Sequence, residues 1–276
     1  MKRRKISGMQ TVPGAVPLLV FEQAFGEHVT AGMTTRAGGV STGIYESMNL
    51  GRNRGDDPAA VAENYRRLAH ALAVRPERMV LPEQTHTATV RIVDEALLAA
   101  HAAGRNVLRD VDGLVTDLTE TALLTTYADC VPLYFNDPVR GVIGIAHAGR
   151  EGTLKNIAAA TIRLMVSYYG SCPADIRAAI GPAISQAYYQ VERQMGTAFI
   201  DRYPDLRDTE LITADGPAHC LLDLPGINRR HFSTCGILPE HIFESGICTW
   251  THSNRLFSHR RTAGRRGNMA GFIVKH

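Results

Sequence analysis

Cysteine is scarce in this sequence. There are five in 276 residues, at 130, 172, 220, 235 and 248, an odd number with no CxxC spacing. That excludes a disulfide framework and fits a reduced, cytoplasmic setting. Long apolar runs are missing as well. No stretch reaches the roughly 18 residues needed to cross a bilayer, so no membrane partner is expected. The basic start Met1-Lys2-Arg3-Arg4-Lys5 is not followed by an apolar h-region between Ile6 and Gly14, which excludes a secretory signal. Residues 1–14 are expected to form a basic, flexible N-terminal tail. Excess charge of either sign is absent: 30 Lys and Arg against 27 Asp and Glu leave a formal +3. With no basic stripe interleaved with aromatics, nucleic acid is not an expected partner. There is no internal repeat, low-complexity tract or long linker. What is present, 45% apolar and 21% charged residues, is ordinary for a globular chain. Residues 15–276 are expected to form one domain.

The most informative stretch is Tyr127 to Thr153, YADCVPLYFNDPVRGVIGIAHAGREGT. Val131, Leu133 and Phe135 alternate along a strand. Asn136, Asp137 and Pro138 are turn formers. Val142 to Ala146 is a second β-branched run. Folding this hairpin between Pro138 and Val139 places Phe135 opposite Val142 and Cys130 opposite His147. Opposed residues share a face, with Cβ atoms about 4.5–5.5 Å apart. A thiol and an imidazole then meet at the open end of the hairpin, a workable arrangement for two ligands of one zinc ion or for a thiolate–imidazole pair. A one-residue slip would separate them to opposite faces. The plain alternative is a small buried cysteine and a structural strand-end histidine.

Elsewhere, strands are expected at Ala15–Glu22, His28–Thr35, Met79–Leu81, Ala88–Val93, Ala122–Tyr127, Ile176–Pro182 and Ile242–Thr249, with a last one ending at Val274; Asp112 to Asp117 reads as a turn leading into a strand. Asp56-Asp57-Pro58 caps a helix that runs to about Ala73. Asp94–Ala103, Val191–Tyr203 and Leu224–Cys235 also read as helices. Thr153 is a plausible N-cap for a continuous apolar helix from Leu154 to Tyr169, closed by Gly170. Its N-terminus, with Arg150 and Lys155 near it, could hold an anion such as phosphate. Five arginines between 255 and 266 are a further anion-binding candidate or a solvated rim. Hairpins and irregular loops replace regular βαβ alternation, so the expected fold class is α+β, with mixed β-sheets packed between helices.

The blocks TTRAGGVSTGIYESMNLG, EQTH, DGLVT, ADCVPLYF, GIAHAGREGT, AAIGPAIS and FSHRR, in that order over roughly residues 28 to 274, resemble the YfiH/laccase-domain family. That family is also described as multicopper polyphenol oxidases, peptidoglycan editing factors and purine nucleoside phosphorylases. The resemblance implies an α/β/β/α architecture and a metal site of two histidines and one cysteine. On this sequence those are His86 of the QTH block, Cys130 and His147. Two departures stand out. Ala183 and Ile184 follow Gly181-Pro182 where members commonly carry a cysteine. CTWTHSNRLFSHRR replaces a tyrosine- and cysteine-bearing block, with Trp250, Thr251 and His259 at the changed positions. Both weaken a copper-cluster reading.

The activity implied is zinc-dependent phosphorolysis of purine nucleosides (adenosine, inosine, guanosine, methylthioadenosine) together with adenosine deamination. The expected partners are a purine nucleoside and phosphate, and the expected state is a monomer or small homo-oligomer. Asp129, beside Cys130, is the candidate general acid/base or ligand-orienting carboxylate. Arg36, Arg150 and Arg260 are candidates for phosphate or ribose. Ser41, Asn49 and Gln84 are candidates for shaping the pocket. Two alternatives stand beside this: a copper-dependent (Cu2+) polyphenol oxidase, and a metal-free Cys–His hydrolase, with Cys130 as nucleophile, acting on peptidoglycan precursors.

Overall fold

The computed structural model describes residues 8–22 and 24–276. The chain runs β1 (Gln10–Val12), β2 (Leu18–Val20), β3 (Val29–Thr34), α1 (Pro58–Ala71), β4 (Met79–Val80), β5 (Val90–Ile92), α2 (Glu95–Ala102), β6 (Gly113–Thr116), β7 (Thr121–Tyr127) and β8 (Val131–Asp137). It continues with β9 (Val142–Ala148), α3 (Arg150–Leu154), α4 (Ile157–Tyr169), β10 (Arg177–Ile180), β11 (Gln190–Glu192), α5 (Arg193–Arg202), β12 (Ile212–Asp215), β13 (His219–Leu222), α6 (Leu224–Thr234), β14 (Ile242–Glu244) and β15 (Met269–Lys275). Of the expected N-terminal tail, residues 1–7 lie outside the described residues, and Gln10–Val12 pair with Leu18–Val20.

Two six-stranded sheets, ordered β1-β2-β3-β15-β7-β4 and β14-β10-β8-β9-β6-β5, stack face to face; β11-β13-β12 form a small third sheet. Leu123 and Ile273 of the first large sheet meet Tyr134, Ile143 and Ile145 of the second in one apolar cluster. The Tyr134 hydroxyl crosses the interface to donate to Gly32 O at 2.8 Å. Each outer face is covered by helices. Leu68 of α1 packs with Ala122, Leu124 and Phe272. Ile157, Ile162 and Met165 of α4 and Ile227 and Phe232 of α6 pack with Leu133 and Phe135. The result is a single compact α+β domain of mixed sheets between helices, as the loss of βαβ alternation foretold. Strands β8 and β9 are covered on both sides, and all seven residues of each are buried.

The hairpin's register differs from the expected one. Phe135 pairs with Gly144, Leu133 with Ala146 and Pro132 with His147. The loop has four residues rather than two: the Asp137 carboxylate accepts from the amides of Val139 and Arg140 at 2.9 and 3.0 Å, and Gly141 takes φ 67°. Each strand is therefore paired two positions off the expected partner. An offset of two preserves the face, so Cys130 and His147 keep the same side of the sheet.

The long helix expected after Thr153 is broken. Asn156, in the left-handed region at φ 56°, ends α3 and caps α4 by accepting from Ala159 N. Asparagine tolerates that conformation better than most residues. Thr153 is not an N-cap. It is buried inside α3, and its hydroxyl accepts from Asn228 Nδ2 at 2.9 Å. Likewise α5 starts at Arg193, because Gln190–Glu192 pair with β13, and the strand expected to reach Thr249 ends at Glu244.

Candidate metal centre

Three side chains from distant parts of the chain converge at one end of the second large sheet. His86 sits in the loop between β4 and β5. Cys130 is the last residue of the bend that joins β7 to β8. His147 lies near the end of β9. Their ligand atoms all lie within 4.8 Å of one another, close enough to hold one metal ion. The two rings stand edge to face, with centroids 4.9 Å apart. His86 and Asp129 both adopt positive φ, 64° and 86°. Non-glycine residues rarely do so, and such outliers gather at sites where the surrounding structure fixes a side chain's aim.

The element that holds the group together is Asp112, fully buried at the start of β6. One carboxylate oxygen pairs with His147 Nδ1 at 2.8 Å and accepts from His86 N at 3.1 Å. The other accepts from Thr87 N at 2.7 Å, Thr87 Oγ1 at 2.8 Å and Thr85 N at 3.2 Å. One buried anion thus fixes the tautomer of His147, leaving Nε2 as the free ring nitrogen, and clamps the loop that presents His86. A carboxylate behind a histidine is the usual support of a metal-ligating imidazole. Sequence reasoning read Asp112 only as a turn former; its partners lie 25 or more residues away, beyond any local pattern.

Gly149, two residues after His147, supplies the space. A Cβ at that position would lie 2.9 Å from His86 Cδ2 and 3.1 Å from Cys130 Sγ. Burial pushes the Cys130 thiol up, but the imidazoles of His147 and His86 outweigh it and hold it at about 6. Burial pushes His147 down, but Cys130 and Asp112 outweigh it and lift it to about 9. The cysteine is therefore a thiolate near neutral pH, the form that binds metal. Two nitrogens and a thiolate make a donor set suited to zinc. Three protein ligands are the number found where a fourth position is left open for chemistry.

The other candidate residues fall into two groups. Asp129 is buried next to the centre, but both its oxygens are engaged, by Thr249 Oγ1 at 2.6 Å and Arg260 N at 2.7 Å. Arg260 lies over the Tyr189 ring and donates to Gln190 O, and Arg150 pairs with Glu151. Charges on Arg150, Arg260, Cys130 and Asp129 all act on the Tyr189 hydroxyl, so these groups share one neighbourhood. The second group braces loops. Arg36 donates to Glu46 O and Ser253 O and covers the Phe257 ring. Ser41 accepts from Asn64. Asn49 joins Asp56, Gly51 N and Asn268 N. Gln84 bonds the backbone of Thr126 in both directions.

A cleft of about 820 Å³ is lined in part by Arg54, Gln84, Thr85, Thr126 and Asn268 and by none of the three ligand residues. The chain passes from its wall at Gln84–Thr85 to His86, the next residue. All five cysteines are unpaired. No helix among the described residues is long and apolar enough to cross a membrane.

Comparison with known proteins gives the same outline. Residues 30–276 match the family model described as multi-copper polyphenol oxidoreductase laccase. The purine nucleoside phosphorylase YlmD of Bacillus subtilis is 35% identical over 254 residues, 90% of this chain and 88% of that protein. A purine nucleoside phosphorylase of Corynebacterium glutamicum is 38% identical over 242 residues, 87% of this chain and 92% of the other. The crystal structure of YlmD from Geobacillus stearothermophilus superposes with a TM-score of 0.88 at 35% identity, covering 98% of this chain and 99% of that one. The Bacillus licheniformis hypothetical protein YfiH gives 0.86 at 36% identity, covering 94% and 96%. With the model spanning nearly the whole chain and relatives alike from end to end, this protein belongs to the laccase-domain, or YfiH, family.

Proposed function

We propose that this protein is a zinc-dependent purine nucleoside phosphorylase that also deaminates adenosine. The observation that carries the reading is the His86–Cys130–His147 group with Asp112 behind it, one residue along the chain from the wall of a cleft large enough for a nucleoside. Small-molecule sites typically enclose about 300–1,000 Å³, and this one holds about 820 Å³. The relatives named purine nucleoside phosphorylase support the choice of substrate.

His86, Cys130 and His147 would hold the ion, which supplies Lewis acidity when bound. The chain's own residues do the rest. Asp112 keeps His147 in one tautomer and one orientation. The cleft places the nucleoside and sheds water from around it. In phosphorolysis, an oxygen of hydrogen phosphate forms a bond to ribose C1′ as the C1′–N9 bond breaks. Its electron pair stays with the base, and the proton of the hydrogen phosphate ends on the base. The products are ribose 1-phosphate and the free purine. In deamination, water adds at C6 of adenosine and ammonia leaves, giving inosine. Adenosine, inosine, guanosine and methylthioadenosine are the proposed substrates, and Arg150 and Arg260 are the proposed cationic rim.

Incubating the zinc-loaded protein with adenosine, with and without phosphate, tests this directly. Adenine formed only with phosphate establishes phosphorolysis, and inosine formed without it establishes deamination. If neither product appears, the proposal is rejected; oxygen uptake with a phenol by a copper-loaded sample would put an oxidase in its place.

A further inference from the structure

Arg266 is a buried cation with no ion-pair partner among the described residues. It is 7% exposed, the only arginine among the described residues to be buried at all closely. Arg229 and Arg230, far more exposed, pair with Glu244 and Asp205. No ion pair among the described residues includes Arg266. Its Nη1 donates to Asn268 Oδ1 and to Gly267 O, and its Nη2 donates to His259 Nδ1 at 3.2 Å. Its Nε has no partner. Buried charges are normally paired, because taking an ion out of water without compensation is costly.

Two further cationic or donor residues lie near it. Arg54 and Asn268 flank Gly51, where an added Cβ would lie 3.1 Å from the Cγ of each, and both line the same cleft. His259 accepts from Arg266 through Nδ1, so its Nε2 carries the ring proton. Burial and the Arg54 charge push the Arg266 guanidinium down to about 10, so the fold holds like charges together. The charges of Asp129 and Cys130 act the other way without reversing the shift, and the Asp129 oxygens contact Thr249 Oγ1 and Arg260 N rather than either guanidinium. A planar guanidinium fork joined by a second arginine and an imidazole N–H suits a tetrahedral oxyanion.

The cluster sits where a co-substrate would be useful. His259 precedes Arg260, whose amide is tied to Asp129, the residue before Cys130. Arg54 and Asn268 line the cleft that ends at Gln84–Thr85, the residues before His86.

We propose that Arg266, Arg54 and His259 form an oxyanion site that takes inorganic phosphate as the co-substrate, at the flank of the cleft. This rests on the phosphorylase reading and deepens it. The site holds hydrogen phosphate while one of its oxygens bonds to C1′, the C1′–N9 pair leaves with the base, and the phosphate's proton passes to the base. The same donors then hold the phosphoryl group of ribose 1-phosphate.

The test is calorimetric titration of inorganic phosphate into the full-length, zinc-loaded protein, its Arg266→Gln and Arg54→Gln variants, and a parallel titration of adenosine 5′-monophosphate. Saturable phosphate binding by the unaltered protein is expected, at least tenfold weaker in Arg266→Gln and several-fold weaker in Arg54→Gln. In turnover, KM for phosphate rises in both variants while KM for the nucleoside changes little. Circular dichroism checks that Arg266→Gln folds; if it does not, Arg54→Gln, altered at an exposed side chain, decides. Equal phosphate affinity in the unaltered protein and Arg54→Gln overturns the site, as does no phosphate binding. Binding of the nucleotide without binding of free phosphate overturns the co-substrate assignment. Phosphate binding that needs Arg266, in a protein that consumes no nucleoside, leaves the site standing and removes the phosphorylase reading. Phosphorolysis with an unchanged phosphate KM in both variants does the reverse.

Discussion

His147 and His231 are both 3% exposed, both in regular secondary structure, and each has an aromatic ring edge-on, His86 at 4.9 Å and Tyr203 at 4.7 Å. They titrate in opposite directions. His231 hydrogen-bonds only to neutral groups: its Nε2 donates to Thr153 O and its Nδ1 accepts from Asn156 Nδ2, each at 3.2 Å, while the charges of Asp205 and Arg230 act on it in opposite directions. Burial therefore dominates and pushes it down to about 4. His147 is buried just as deeply, yet Cys130 and Asp112 lift it to about 9. Burial alone makes a neutral structural histidine. A carboxylate on one ring nitrogen and a thiolate facing the other make one poised to exchange its proton for a cation.

Removing the thiolate should abolish that contrast and have the largest effect. Cys130→Ser leaves His147 with Asp112 alone, so its pKa should fall from about 9 and metal content should drop from one ion per chain to a trace. Nucleoside turnover should fall by at least about 100-fold, more than loss of a supporting residue usually costs. Elemental analysis and histidine NMR titration of the metal-free protein check this. An unaltered metal stoichiometry would mean that the sulfur is not a ligand.

Asp112→Asn attacks the other support. The amide keeps a partner for His147 Nδ1 but removes the charge, and its NH2 would meet backbone donors at Thr85, His86 or Thr87. Metal affinity should fall about 10–100-fold, with a loss of about 1–3 kcal/mol in stability from the donors left unpaired. Competition with a chelator and urea unfolding measure the two separately. A stability loss with unchanged metal affinity would make Asp112 a loop brace only.

The sequence exposes some of this contrast and hides the rest. The β8–β9 hairpin was legible because alternating apolar residues and Asn136-Asp137-Pro138 mark strands and a turn. Its register was not, since nothing local separates a two-residue loop from the four-residue one closed by Asp137 and Gly141. Pro132 rather than Cys130 pairs with His147, yet Cys130 and His147 still converge because the discrepancy was an even number of residues. His86 needed the family resemblance, as a lone histidine in a loop has no periodicity to reveal it. Asp112 and Arg266 were hidden for opposite reasons. Asp112-Gly113 looks like any turn, and Arg266 sits among arginines that look like any solvated rim. What sets each apart is burial, which arises only when distant segments pack.

Acid should sharpen the contrast at His231. Its folded pKa of about 4 lies below the unfolded value near 6.5, so the unfolded chain binds the extra proton. The neutral ring's contribution is complete above 6.5 and is lost as pH falls from 6.5 through 4, on the order of 3 kcal/mol in all. Urea midpoints at pH 7, 5.5 and 4.5 should fall more steeply for the native protein than for His231→Gln, which has no proton to bind. Parallel slopes would mean that solvent reaches the ring and that the two histidines differ less than their packing implies.

The smallest effect is expected from Gly149→Ala, which tests whether the rings around His147 are spaced for an ion rather than packed for stability. At φ −71° and ψ −175° the Gly149 backbone suits any residue, so the demand is for space alone. The added methyl would sit 2.9 Å from His86 Cδ2. His86 is exposed and can swing away, relieving the clash by leaving the group. Metal affinity should therefore drop several-fold while the melting temperature of the metal-free protein stays nearly unchanged. At the His231 corner no such separation is available, because Tyr203, Asn156 and Thr153 already fill the space around the ring. If Gly149→Ala instead lowered the metal-free melting temperature and left metal affinity intact, the gap between His86 and Cys130 would be a packing feature, and the two histidine corners would be alike after all.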